Sequence, residues 1–207
     1  FEERRVGRDL HHSPLHDHML ARGAVMGFAH GTERPNWFSD KPGDVAHESF
    51  RRTNWFDAVA REVDAVANRV ALADLSVFSK FDVTGTDTFP FLNALGANRP
   101  PRPGRIGLTH VLTPAGGVAS EFTVTVLSEQ HAYLTSAAAS EEMDLDLLTS
   151  RATPFDVAVR NITRERAIIG VMGPQARMLL AKLTSADLGA GFPWLTAHEI
   201  NVAGRPV

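Results

Sequence analysis

The residue best placed to do chemistry is Glu121, which stands in the alternating run that follows Gly116-Gly117. Side chains of an extended chain point to opposite faces in turn. Val118, Ser120, Phe122, Val124 and Val126 therefore fall on one side, and Ala119, Glu121, Thr123, Thr125 and Leu127 on the other. Glu121 keeps company with small and hydroxylated residues. The alternation leaves two placements open: the carboxylate points to water, as most glutamates do, or it faces a pocket. In a pocket it can accept two parallel hydrogen bonds from an N–H/NH2 edge and exchange protons with what is bound there.

Other reactive types point to little. His11, His12, His16 and His18 have the chemistry of metal ligands but no regular element to fix them, so no metal site is expected. The chain has no cysteine, which removes disulfides, thiolate nucleophiles and Cys-ligated zinc or iron–sulfur centres and fits a reducing compartment. There is no Gly-x-Gly-x-x-Gly after a strand, no phosphate loop, no Gly-x-Ser-x-Gly and no His-Glu-x-x-His. Gly104, Gly107, Gly116 and Gly117 read as hairpin geometry. A formal net charge of −3 gives no case for a nucleic-acid partner. Arg4, Arg5, Arg8, Arg99, Arg102 and Arg105 lie among acids and prolines and read as solvated loop charges. No apolar run approaches the roughly 20 residues of a membrane span.

The elements that must position Glu121 are legible from period and punctuation. A strand is predicted over 106–112, a turn at Thr113-Pro-Ala-Gly-Gly117 and a second strand over 118–127. Upstream, Val59, Val63, Val66 and Val70 define a helix face opposite Arg61, Glu62 and Asp64, with Thr53 or Asn54 as its cap. A strand over 80–85 ends at Gly85, and a helix over 86–95 has Pro90 as its weak point. Downstream come a strand at 131–136, a helix at 140–148, strands at 155–159 and 167–171, a helix at 175–183 and a strand at 196–202. Interleaved strands and helices with hairpins predict an α+β fold with a mixed or antiparallel sheet. Residues 1–52 lack a sustained period and read as an extended N-terminal arm, leaving 53–207 as the domain.

Five segments, in order, carry a family resemblance. They are Ser13-Pro-Leu-His-Asp, Glu33-Arg-Pro-Asn-Trp-Phe38, Ala73-Asp-Leu-Ser-Val-Phe-Ser-Lys-Phe-Asp-Val-Thr-Gly85, Thr113-Pro-Ala-Gly-Gly-Val-Ala-Ser-Glu-Phe-Thr-Val-Thr125 and Ile169-Gly-Val-Met-Gly-Pro174. The chain resembles the folate-binding aminomethyltransferase domain of the glycine cleavage T protein, and more closely the C-terminal half of dimethylglycine and sarcosine dehydrogenases. Glu-Arg-Pro-x-Trp-Phe is the dehydrogenase-like piece. Ala137 stands where the T protein has Asn, and Thr32 where the dehydrogenases commonly have Trp.

The resemblance implies an aminomethyltransferase-like folate-binding fold with a ferredoxin-like sheet. It places Glu121 at the family's acid beside the pterin ring, as the candidate catalytic group. Leu75, Val77, Phe78, Ser120, Thr123, Tyr133 and Ala137 join Glu121 as candidate folate-binding residues. The implied partners are tetrahydrofolate, a one-carbon donor and a flavin domain in cis carrying FAD before Phe1. The implied product is 5,10-methylenetetrahydrofolate, made in bacterial cytoplasm or mitochondrial matrix. The chain opens on Phe1 and not on Met, and the family's second pterin-contacting acid follows a strand such as 200–207. The expectation is thus a fold incomplete at its C-terminus, half a folate site, and no complete activity from this chain alone. Two other readings compete: a T-protein-like aminomethyltransferase serving a lipoyl carrier, and a non-catalytic folate-binding or regulatory module. Oligomeric state is not legible.

Overall fold

A computed structural model describes residues 5–207, so Arg4 lies outside the described residues, as does the side chain of Arg5. Two units emerge, one from the chain up to Val77 with Ala167–Lys182, the other from Phe78–Arg166 with Leu183–Val207. The division therefore falls elsewhere than the expected boundary at 52/53. Among the described residues, no helix is long and apolar enough to cross a membrane.

The first unit contains α1 (His16–Ala21), β1 (Ala24–Ala29), β2 (Thr32–Phe38), α2 (Phe56–Asn68), β3 (Ala71–Asp74), β9 (Ile169–Met172) and α5 (Ala176–Leu180). Residues 16–38 are not an extended arm. They fold into a helix and an antiparallel hairpin, β1–β2, turned at His30-Gly31 with both residues at positive φ. Pro35 within β2 and a register shift at Val25/Met26 break the alternation that would have announced these strands. Glu33 and Trp37 of the Glu-Arg-Pro-Asn-Trp-Phe segment are both buried. Arg8 is no solvated loop charge: its Nε donates to Glu33 Oε1 at 2.6 Å and its Nη2 to Oε2 at 2.5 Å. The Asp9 N–H adds a third bond at 3.0 Å. The Arg8 guanidinium holds the Glu33 carboxyl below its ordinary pKa, against the opposing effect of burial. Two of the resemblance segments meet in this unit, where the Ser13 hydroxyl donates to the Asp74 carboxylate.

Helix α2 turns a different face inward from the one its valines suggest. Val63 is 60% and Val66 39% exposed, while Ala58 is buried. Glu62 lies on the partly covered side, and its Oε1 accepts the Phe38 N–H at 2.9 Å. Satisfying a strand-edge donor thus accompanies the turn of the helix. Asn54 does not cap it. Its amide donates to Val45 O at 2.9 Å and its Oδ1 accepts the His47 N–H at 2.8 Å, pinning the preceding loop.

The second unit is built on a five-stranded sheet of order β5-β6-β7-β4-β8, antiparallel throughout. The strands are β4 (Ser79–Thr84), β5 (Arg105–Leu112), β6 (Val118–Ser128), β7 (His131–Ser136) and β8 (Ala158–Asn161). The order β8-β4-β7-β6 is that of a ferredoxin-like β-α-β-β-α-β unit, with β5 added at the edge. Helices α3 (Thr88–Leu95) and α4 (Glu141–Ala152) supply the two crossings. Pro90 sits in the first turn of α3, where its missing N–H has no helical partner to lose. Gly85, at φ 145°, ends β4 so close to Asp156 that a Cβ would lie 2.1 Å from its carbonyl oxygen.

One sheet face is the core. Phe81, Val83, Phe122, Val124, Val126, Ala132 and Leu134 pack against Phe91, Leu92 and Leu95 of α3 and Leu148 and Ala152 of α4. Phe81 meets Phe122 edge-on, with ring centroids 6.4 Å apart. The expected strand over 196–202 is reduced to β10 (Asn201–Val202), paired with β11 (Arg205–Pro206). Its upstream part instead meets the edge of β5 in an isolated antiparallel bridge, Thr196 against Arg105.

Candidate functional site

The ladder between β6 and β7 stops at the rung Thr123↔Thr135. Beyond it the strands part, and a cavity of about 230 Å³ opens between Ser120, Glu121 and Thr123 on one side and Thr135, Ser136 and Ala137 on the other. Phe78, Ser140 and Asp144 complete its lining, all within the second unit. Pockets that enclose a whole drug-sized ligand run from about 300 to 1,000 Å³. This one is sized for the ring end of such a molecule.

Asp144 closes the inner end. Residues four apart share a helix face, and Asp144, Leu148 and Ala152 of α4 are all buried. The first of them meets polar strand ends: Ser120 Oγ donates to Oδ1 at 2.6 Å and Ser136 Oγ to Oδ2 at 2.5 Å. One carboxylate thereby ties together two strands that no longer pair with each other. Fully buried Lys80 stands beside this region and its Nζ donates to the Phe78 carbonyl at 2.6 Å.

Glu121 is on the opposite side of β6 from Ser120, at the cavity's open end, with its side chain 56% exposed. The β5–β6 register shifts between Val111 and Leu112, so that Leu112 pairs with Val118 but Val111 with Ser120. Ala119 is the extra residue of this bulge. The shift sets His110 directly opposite Glu121, and His110 Nε2 lies 2.7 Å from Glu121 Oε2. A half-exposed carboxylate with an imidazole on one oxygen retains lone pairs for a ligand donor and has a proton carrier in contact.

Of the residues singled out in the sequence, Phe78, Ser120, Glu121, Thr123 and Ala137 line this cavity. Leu75 and Val77 belong to the first unit and are absent from the lining, as is Tyr133. Tyr133 pairs with Asp82 and Thr125, one rung beyond Thr135 on the same face of β7, and burial pushes its phenol up to about 12. His110, Ser140 and Asp144 were not anticipated. Asp144 carried one signal, a polar residue four before Leu148 on the face that helix buries. The histidines are arranged otherwise than a metal site requires: the His12 and His16 rings stack at 3.8 Å, and each meets a different aspartate, Asp9 or Asp17. Among the described residues, no three His, Asp or Glu side chains are grouped to hold an ion.

Comparison with known proteins gives a consistent set of likenesses. The sequence profile of the GCVT N-terminal domain matches residues 15–207. Human mitochondrial dimethylglycine dehydrogenase is 42% identical over 212 residues, which span 100% of this chain and 24% of that protein. The 4-methylaminobutanoate oxidase (formaldehyde-forming) of Paenarthrobacter nicotinovorans is 32% identical over 88% of this chain and 22% of its own length. Among solved structures, glycine cleavage system aminomethyltransferase T from Bartonella henselae superposes with a TM-score of 0.71 at 22% identity, covering 93% of this chain and 47% of that one. At that identity the likeness is one of fold. The chain spans about a quarter of the length of the curated relatives it matches.

Proposed function

The chain belongs to the GCVT N-terminal domain family, and we propose that it supplies the tetrahydrofolate-binding portion of a flavin-linked N-methyl amine dehydrogenase. The observation that carries this reading is Glu121, held at a ring-sized cavity with His110 against one of its oxygens. Two relatives whose names describe oxidation of N-methyl amines, aligned over most or all of this chain, support it.

The lining suits a pterin. Phe78 offers an aromatic wall for a flat ring, Thr123 and Thr135 offer hydroxyls, and Ser120, Glu121 and Ser136 are rich in acceptor oxygens for its N–H edge. When bound, tetrahydrofolate captures a one-carbon unit through N5 and N10 and leaves as 5,10-methylenetetrahydrofolate. The chemistry is the cofactor's, and what the protein adds is placement, worth roughly 7–11 kcal/mol in well-oriented cases. Glu121 accepts a hydrogen bond from the ring side and takes or returns the proton that ring closure releases. His110 fixes the carboxylate's rotamer and gives that proton a route to water. Ser120, Thr123, Ala137 and Phe78 position the ring. Tyr133 lies in β7 outside the cavity lining, and Leu75 and Val77 are not among the residues that line it. In this reading FAD and the amine pocket lie elsewhere in the protein, and the compartment is a reducing one, the mitochondrial matrix or bacterial cytoplasm.

Two measurements on the intact gene product test the proposal. Calorimetric titration with tetrahydrofolate should show one site per chain, lost or much weakened in Glu121→Gln. The visible spectrum should show bound flavin. Undiminished tetrahydrofolate binding by Glu121→Gln would remove Glu121 from the site, and a protein free of flavin would remove the dehydrogenase reading.

A further inference from the structure

Asp144 has no exposed surface, yet it borders the cavity. Both of its oxygens are taken, Oδ1 by the Ser120 hydroxyl and Oδ2 by the Ser136 hydroxyl. The serine donates in each bond, and a serine hydroxyl has only one proton. Those two protons are therefore committed to Asp144. What Ser120 Oγ and Ser136 Oγ can still offer to a molecule in the cavity is lone pairs alone, and Glu121 adds two more acceptor oxygens.

We infer that Asp144 is a positioning residue that makes this wall acceptor-only, so that the site selects a ligand edge bearing N–H donors and disfavours an edge bearing none. Identification of that ligand rests on the folate reading above; the orientation of the hydroxyls does not. Tetrahydrofolate carries an N–H at both N5 and N10, and neither survives once a one-carbon unit bridges them. The wall thus holds the unloaded folate more tightly than the loaded one and favours release of product. A residue that only braced β6 against β7 would treat donor-bearing and donor-free ligands alike.

The test is a cycle of one mutation and one ligand change, read by calorimetry on the intact protein. The ligands are tetrahydrofolate and an analogue with N5 and N10 both replaced by carbon. Wild-type protein should prefer tetrahydrofolate by about tenfold or more, the worth of one good hydrogen bond. In Asp144→Asn the new amide donates to one serine, whose own proton is then free to point into the cavity. The preference should collapse to within about twofold, while affinity for the analogue barely changes. An undiminished preference in Asp144→Asn, or an equal loss of affinity for both ligands, overturns the inference. Where Asp144→Asn does not fold, Ser136→Ala replaces it and should lose part of the same preference; full retention there also overturns it. Wild-type binding of both ligands without preference defeats the inference alone, whereas binding of neither defeats the folate reading beneath it.

Discussion

His110 Nε2 lies 2.7 Å from Glu121 Oε2, between two residues that face each other only because β6 carries one extra residue ahead of them. The pair is too exposed, at 37% and 56%, to matter much for stability, since exposed ion pairs contribute about 0–1 kcal/mol. Its value is geometric. The histidine selects one carboxylate rotamer and leaves the other oxygen free.

Glu121→Gln in the intact protein is expected to lower folate-dependent product formation by roughly 10²- to 10³-fold, within the range for loss of a positioned acid–base group. Amine oxidation should stay nearly unchanged. His110→Gln should lower the same product rate by about tenfold and shift the melting midpoint little. Parallel assays of methylenetetrahydrofolate yield and of amine-dependent dye reduction separate these effects. Equal loss of both activities in Glu121→Gln would place the residue outside the folate step.

Trp37 is buried in the first unit, and its indole N–H finds no hydrogen-bond acceptor among the described residues. A buried polar group left unsatisfied costs about 1–3 kcal/mol. Trp37→Phe removes that group and keeps most of the ring, so it is expected to be neutral or stabilising. Trp37→Ala should lose about 3–5 kcal/mol. Chemical denaturation of both variants checks the contrast.

Glu33 gives a stability change on the acid side. Its pKa lies lower in the fold than its ordinary value of 4.5, chiefly through the Arg8 guanidinium. The unfolded chain therefore takes up this proton first as pH falls. The stabilisation is complete above about pH 4.5 and disappears as pH drops through the depressed value. Glu33→Gln, which strands Arg8 beside a neutral partner, should cost about 3 kcal/mol near neutrality. That gap should narrow progressively below pH 4.5 in denaturation curves taken at several pH values. A constant gap down to pH 3 or so would contradict the assignment.

Tyr133 gives the opposite sign at high pH. It is the one tyrosine in the chain, so its ionisation can be followed directly in the ultraviolet. Burial raises it to about 12, from an ordinary 10.0. Below pH 10 its contribution to stability is whole, and it is lost as pH rises from 10 through about 12, because the unfolded chain releases the proton first. Spectrophotometric titration should show tyrosinate appearing near 12 in folded protein and near 10 in denaturant. Coincident curves would contradict a buried phenol.

Much of this was legible in the residues, and what was not has identifiable causes. The alternation of β6 put Val118, Ser120, Phe122, Val124 and Val126 on one face, and all but Val118, which lies ahead of the bulge and is exposed, are buried. It could not give the partner across the hairpin. Counting back symmetrically from the pair Leu112 and Val118 sets His110 against Ser120, and only the bulge at Ala119 moves it to Glu121. Asp144 was visible as one acid among several in the first turns of α4, and nothing in its neighbours announced two serines from separate strands. In α2 the valine stripe pointed to a face that leaves Val63 and Val66 exposed, while Glu62 on the other side accepts a strand N–H. The β1–β2 hairpin was hidden by Pro35 and an irregular register.

Strand β6 interleaves two kinds of duty along a single stretch of backbone, with Ser120, Phe122, Val124 and Val126 buried and Glu121 and Thr123 turned to the cavity. A library saturating 118–128 would accordingly sort by parity. Phe122, Val124 and Val126 should govern how much protein accumulates, Glu121 and Thr123 how well the accumulated protein handles its ligand, and Ser120, buried beside the cavity, both. Removing Ala119 would take out the bulge and leave Val111 opposite Ser120 directly after Leu112 opposite Val118, so Glu121 should still meet His110 and each position should keep its duty.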